Sequence, residues 1–253
     1  MLKPTAFYKN KLEQLHRKLL DHPITKEYLT GKAIRYDGIE LDPYEEDVYL
    51  EIEGLTALEF SHLFSVFNGS RVHAQMVNEW SPDDAPPGFY VNVINGQVIQ
   101  GKNKTVVFRE EDEDSDLFIE TLHIDHFFLL ERKTVAGLGT VAFSLCAITA
   151  HLAGFAHIKL IAAGGKGANP KHIGYRFWPK LGFNADLERD ETLGTPHLSN
   201  CRTVQDVIEH DEGWWHANGT QRLVTFDLRP NSLSWQKLLS YLVEKMDSGA
   251  DNG

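Results

Sequence analysis

Residues 121–183 constrain this chain more than any other segment, because a strand-like run, a glycine turn and an apolar helical run follow one another without a gap. Residues 121–130 (TLHIDHFFLL) read as a strand, residues 131–140 (ERKTVAGLGT) as a turn, and the apolar run after them as a helix. In that order the turn amides and the first helical N–H groups lack intrahelical partners and point one way, which suits them to hold an anion such as a phosphate. Gly137 and Gly139 flank Leu138 directly before the helix, where glycine permits positive φ or a close backbone approach. No G-K-[ST] follows, against a P-loop, and no third glycine completes a dinucleotide fingerprint. Taken alone, the loop fits an ordinary tight turn into a helix equally well.

The company of the loop narrows the choice. Val141, Leu145, Ile148 and Leu152 recur at helical spacing, predicting one apolar stripe that lies on a sheet, and Gly154 ends the run. Residues 157–162 (HIKLIA) read as a largely buried strand, and a closing helix over 174–183 (GYRFWPKLGF) has Gly182 placed as a C-terminal cap. With Thr134-Val135-Ala136-Gly137-Leu138-Gly139 opening one helix and Phe177-Trp178-Pro179-Lys180-Leu181-Gly182-Phe183 ending the next, the segment resembles the GCN5-related N-acetyltransferase (GNAT) family. That family's signature is Q/R-x-x-G-x-G/A at the first place and a pattern like F-Y-x-K-x-G-F at the second. Two positions depart from it. Thr134 stands where the family prefers Gln or Arg, although Arg132 and Lys133 just before it supply positive charge. Trp178 stands where the family often has the tyrosine that protonates the departing thiolate, and Tyr175 is one helical turn earlier.

The resemblance implies a GNAT-like α/β (α+β) fold, a mixed, mostly antiparallel twisted sheet flanked by helices. It also implies acetyl-CoA as co-substrate, its diphosphate held by Arg132, Lys133, Val135, Gly137, Leu138, Gly139 and Thr140, and its pantetheine beside splayed strands. The reaction so implied is direct attack of an amine on the thioester within a ternary complex, with strand N–H groups stabilising the oxyanion and Tyr175 returning a proton to the thiolate. An attacking ammonium must first lose a proton. Strand alternation turns His123, Asp125 and Phe127 to one face, so the Asp125 carboxylate can orient the His123 imidazole and raise its basicity, with Glu120 as a reserve base. A hydrogen-bonded pair without catalytic duty is the competing reading. Two functions follow: an acyl-CoA-dependent N-acetyltransferase, or a GNAT-like scaffold that binds without catalysing.

The rest of the chain bounds these readings. A net charge of −11 argues against attraction to nucleic acid or an anionic membrane and favours a small-molecule or protein amine as partner. Cys146 and Cys201 are the only cysteines, with neither zinc spacing nor a disulfide framework, and no metal is expected. No apolar run is long enough to span a bilayer and the start lacks a signal-peptide core, so a cytoplasmic protein is expected. Leu12, Leu15, Leu19 and Leu20 predict an amphipathic helix over 7–21, packing on the domain or docking a partner or membrane surface.

Further strands are expected at 48–52, 71–80, 89–98 and 104–109, with a helix at 56–67 and hairpin turns at Asn95-Gly96 and Gly101-Lys102. The run 110–116 (EEDEDSD) reads as a solvated turn or an acidic rim for a cationic acceptor. Thr203 caps a short helix to His210, the two tryptophans of 211–218 (DEGWWHAN) fit a core or a lid, 223–228 is a last strand, and 232–246 a terminal helix. The expected organisation is a helical extension over 1–42, an acyltransferase-like domain over 43–230, and a helix with a polar tail over 231–253.

Overall fold

The computed structural model describes residues 2–45, 54–79, 86–111, 118–130 and 132–249. The strand expected at 48–52 and most of the acidic run lie outside them. The fold is α+β with a mixed, mostly antiparallel sheet, as the order of elements implied. The chain divides into two compact units, Met1–Ile158 and Lys159–Gly253.

The first unit opens with a π-helical turn, Tyr8–Leu12, that runs into α1 (Glu13–Asp21) and then α2 (Pro23–Tyr28). Pro23 suits the first helical position because its missing N–H would be unpaired there anyway. Leu12 and Leu19 are buried while Leu20 faces solvent, so the amphipathic stripe packs inward. α3 (Ala57–Leu63) starts at a reciprocal capping box: the Glu59 amide donates to Thr56 Oγ1 at 3.2 Å and the Thr56 amide to Glu59 Oε2 at 2.8 Å.

β1 (Arg35–Tyr36) pairs antiparallel with β2 (Ile39–Glu40) and parallel with β3 (Arg71–Val77). From β3 an antiparallel meander continues through β4 (Gly88–Ile94), β5 (Asn103–Glu111) and β6 (Phe118–His126). The two expected hairpin turns fall in one connection, residues 95–102, rather than closing tight turns of their own. Its geometry is set by the buried Asn95, whose amide donates to the Asn68 carbonyl at 3.0 Å, and by Ile99, which bridges to Leu129.

α4 (Leu138–Ala153) departs from the single-stripe expectation. Val141, Leu145 and Ile148 are buried, but so are Ala142, Phe143, Ser144, Cys146, Ala147 and Ala150 on its other sides. The reason is that α1, α2 and α3 all pack against it, and a helix covered all round needs apolar or small residues all round. Ser144 satisfies its hydroxyl on the Thr140 carbonyl at 2.7 Å. The Cys146 thiol donates to Leu63 O at 3.0 Å, and burial pushes its pKa up to about 12, an unreactive group. Gly154, in the left-handed conformation at φ 87°, ends the helix where the sequence places the stop.

In the second unit β7 (His157–Ala162), which begins at the boundary, neighbours β8 (Arg222–Asp227). α5 (Gly174–Lys180) closes with paired capping bonds, Gly182 N to Pro179 O at 3.0 Å and Phe183 N to Trp178 O at 3.3 Å. Trp178, Phe183, Phe226 and Trp235 follow edge to face with centroids 5.3, 5.6 and 5.3 Å apart, a ring ladder that forms the core here. Buried Gln205 donates to the Pro179 and Phe183 carbonyls at 2.7 and 2.8 Å and so ties the two sides of the chain reversal together, Pro179 O also accepting from Gly182 N.

The segment 211–218 is not a separate lid. α6 (Val204–Asn218) contains it beyond a kink at Asp211 (φ −158°, ψ 83°), whose carboxylate accepts the Trp214 amide at 2.8 Å and so restarts the helix. Trp215 is buried in a second cluster with Tyr175, Leu198, Cys201, Val204 and Val207. α7 (Leu233–Gly249) runs three residues past its expected end at 246.

Candidate functional site

The glycine turn is held from below. After β6 the chain stays extended, with Gln100 N donating to Phe128 O at 3.0 Å and Leu130 N to Val98 O at 2.9 Å. The Leu130 carbonyl then gathers three donors, the amides of Lys133 and Thr134 at 2.9 and 3.1 Å and the Thr134 hydroxyl at 3.0 Å. This is what threonine contributes where the family pattern has Gln or Arg: its hydroxyl closes the turn. Gly137 follows in the left-handed region at φ 86°, exposed, with no side-chain cap on the helix start. Leu138, 1% exposed, anchors the first turn of α4 in the core.

Among the described residues the amides of Ala136, Gly137, Gly139 and Thr140 have no protein acceptor. Leu138 differs from the expectation, because its amide donates to the Val135 carbonyl at 3.3 Å and is not free for a ligand. The open donors sit at the positive end of a sixteen-residue helix, with exposed Arg132 and Lys133 just before it, so the local potential favours an anion. Lys133 Nζ rests 3.4 Å from the Gly96 carbonyl.

β6 carries the other candidates. His123 is half-buried and stands opposite Val106 of β5. Asp125 shares its face by alternation, but the expected dyad is not formed: the carboxylate pairs with Lys104 Nζ at 2.9 Å and His126 Nδ1 at 3.3 Å, not with His123. Partial burial alone would raise the Asp125 pKa; the Lys104 ammonium and then His126 outweigh it and hold the carboxyl below its usual range. Lys104 Nζ also stands over the Tyr90 ring, 5.1 Å from its centroid. Burial raises the Tyr90 pKa, with Lys104 opposing and Asp125 adding to it, and its hydroxyl donates to Pro86 O at 2.6 Å. Glu120, the reserve base, falls on the opposite face by the same alternation, and pairs with Arg109 at 3.2 Å beside an open depression of 480 Å³.

Tyr175 belongs to the second unit and is buried there. Its hydroxyl donates to the His216 carbonyl at 2.9 Å, its own carbonyl accepts from Trp215 Nε1 at 2.9 Å, and the Arg176 guanidinium lies 4.9 Å from its ring. Proton transfer from this hydroxyl therefore requires breaking an existing bond. Trp178 is equally enclosed, in the ring ladder.

Sequence reasoning missed Lys104, Asn92 and Tyr90 as companions of β6. Alternation within each strand was readable, but which residues meet across strands depends on a register shift between Lys104 and Thr105 that no residue pattern announces. Among the described residues no group of three or more His, Cys, Asp or Glu side chains is placed to hold a metal, and no helix is long and apolar enough to cross a membrane. No family model and no curated protein matches the chain.

Proposed function

We propose that this chain is an acyl-CoA-dependent N-acetyltransferase acting on an amine. The observation that carries the reading is the cluster of unpaired amides at Ala136, Gly137, Gly139 and Thr140 at a helix start, with Ala136 and Gly137 exposed and two cations preceding them. These groups suit a diphosphate. Acetyl-CoA, when bound, supplies the acetyl thioester. In this scheme His123 takes the proton that the acceptor's ammonium must shed before its nitrogen attacks, and strand N–H groups stabilise the oxyanion. Collapse of that oxyanion breaks the C–S bond and releases coenzyme A as the thiolate, which solvent protonates. Asp125, paired with Lys104, is not the group that orients His123 in this scheme.

Calorimetric titration with acetyl-CoA tests the first step. Micromolar binding that collapses in Gly137→Glu supports it, since the substitution sets a side chain and a negative charge at a position with φ 86°. Absence of heat at millimolar acetyl-CoA removes it. A second reading, a GNAT-like scaffold that binds without catalysing, draws on the engaged Tyr175 hydroxyl and Asp125 carboxylate. It is favoured if acetyl-CoA binds and no amine in a broad panel is acetylated.

A further inference from the structure

We propose that the sheet face around Asn92, Lys104 and Asp125 is a binding site for a small zwitterion bearing both an ammonium and a carboxylate, chemically an α-amino acid. As a binding site this stands by itself; as the acceptor site it rests on the acetyltransferase reading.

Three features converge there. First, the register shift between Lys104 and Thr105 sets Lys104 opposite His126 and Thr105 opposite Ile124, leaving Asp125 as the extra residue of a β-bulge. Bulges re-aim side chains, and this one brings a carboxylate onto the Lys104 ammonium. Second, the two side chains retain 27% and 34% of their exposure, and a pair this open to water is only weakly held. Opening it costs little. A zwitterion can take its place by offering its carboxylate to Lys104 and its ammonium to Asp125, so that one ion pair becomes two.

Third, Asn92 stands directly opposite Lys104 on β4, and its Oδ1 is buried with no donor. A buried acceptor left unmet is destabilising. An N–H from the ligand's ammonium supplies the missing donor, Asn92 lying one strand from Lys104 and two from Asp125 on the same side of the sheet. The Tyr90 ring beneath Lys104 fixes the cation by a cation–π contact, so the positive half of the site is preformed. His123 lies on the same face, opposite Val106, the next residue along β5 on the side of Lys104. A ligand whose ammonium is held by Asp125 and Asn92 thus presents its nitrogen on the face that carries the proposed base. A plain amine meets Asp125 but leaves Lys104 without a partner, and a plain carboxylate does the reverse; neither offsets the opening of the pair as a zwitterion does.

The test uses the full-length protein, thermal-shift screening and calorimetry. Each of the twenty common L-amino acids is titrated, with ethylamine and propionate as single-charge controls. At least one amino acid is expected to bind saturably and raise the melting temperature, while both controls leave it unchanged at equal concentration. Lys104→Met and Asn92→Ala are expected to weaken that binding at least tenfold with acetyl-CoA titration as in the parent. Failure of every amino acid, or an equal response to ethylamine, overturns the proposal, and this holds on the parent protein even if a variant does not fold. Because acetyl-CoA is titrated separately, loss of cofactor binding refutes the acetyl-transfer reading alone, and loss of amino-acid binding refutes the zwitterion site alone.

Discussion

Acidification is expected to destabilise the protein through two histidines of the first unit well before its low-pKa aspartates respond. His62, on α3, is 3% exposed with Nε2 bonded to the Leu29 carbonyl at 2.9 Å. His16, on α1, has Nδ1 2.9 Å from the Tyr8 hydroxyl and a buried Nε2 with no partner. Burial lowers both pKa values from 6.5 to about 4, with the neighbouring His62 lowering His16 further and the Leu29 carbonyl opposing the shift at His62. Each imidazole is neutral when folded and takes up a proton more readily when unfolded. Its contribution is therefore complete above pH 6.5 and is lost as the pH falls from 6.5 through about 4. Between pH 8 and pH 5 the loss is about 2 kcal/mol per imidazole, or about 4 kcal/mol for the two. That is a large share of the roughly 5–15 kcal/mol that holds a domain together. Asp125 and Asp206, held below 3.8, lose their contributions only under that range, so the interval isolates histidine; the less buried His216, also lowered by burial, adds a smaller part. Urea unfolding at the two pH values measures the difference, and in His62→Gln it is expected to fall by about half. A loss in the parent below about 1 kcal/mol, or an undiminished loss in the variant, refutes the reasoning.

Other expectations concern folding and the assigned roles. Gly182→Ala sets a Cβ 2.3 Å from the Ser234 carbonyl oxygen at φ 98°, and is expected to lower the melting temperature by at least several degrees, or to prevent folding. Thr56→Ala removes one arm of the capping box, expected to cost about 1 kcal/mol by urea unfolding. Tyr175→Phe removes the bond to His216 O and is expected to cost about 1 kcal/mol of stability with turnover retained; a more than tenfold drop in kcat in a normally folded variant would instead assign the hydroxyl a role in proton transfer.

Much of the fold was legible where local chemistry decides it. β7 occupies the expected residues 157–162, and Gly154 and Gly182 stop their helices because the left-handed conformation each adopts is strained for other residues. The inner side of α4 was legible from Val141, Leu145 and Ile148, but its burial on every side depends on α1, α2 and α3, which are distant in sequence. The second half of α6 was hidden because the helix expected from Thr203 ended at His210, whereas Asp211 acts as a cap at the kink and restarts it. At the candidate site the glycine turn could be read from its spacing. The partner of Asp125 could not, because alternation places His123 and Asp125 on one face while the bulge hands the carboxylate to Lys104.

Everything proposed about acyl transfer depends on the amides before and within the first turn of α4. Amide NMR of labelled protein titrated with acetyl-CoA observes them directly. The account expects saturable shifts at Ala136, Gly137, Gly139 and Thr140, larger than at Leu138, whose N–H is already bonded to Val135. Signals that stay still at millimolar acetyl-CoA, or that move elsewhere while these four do not, contradict it.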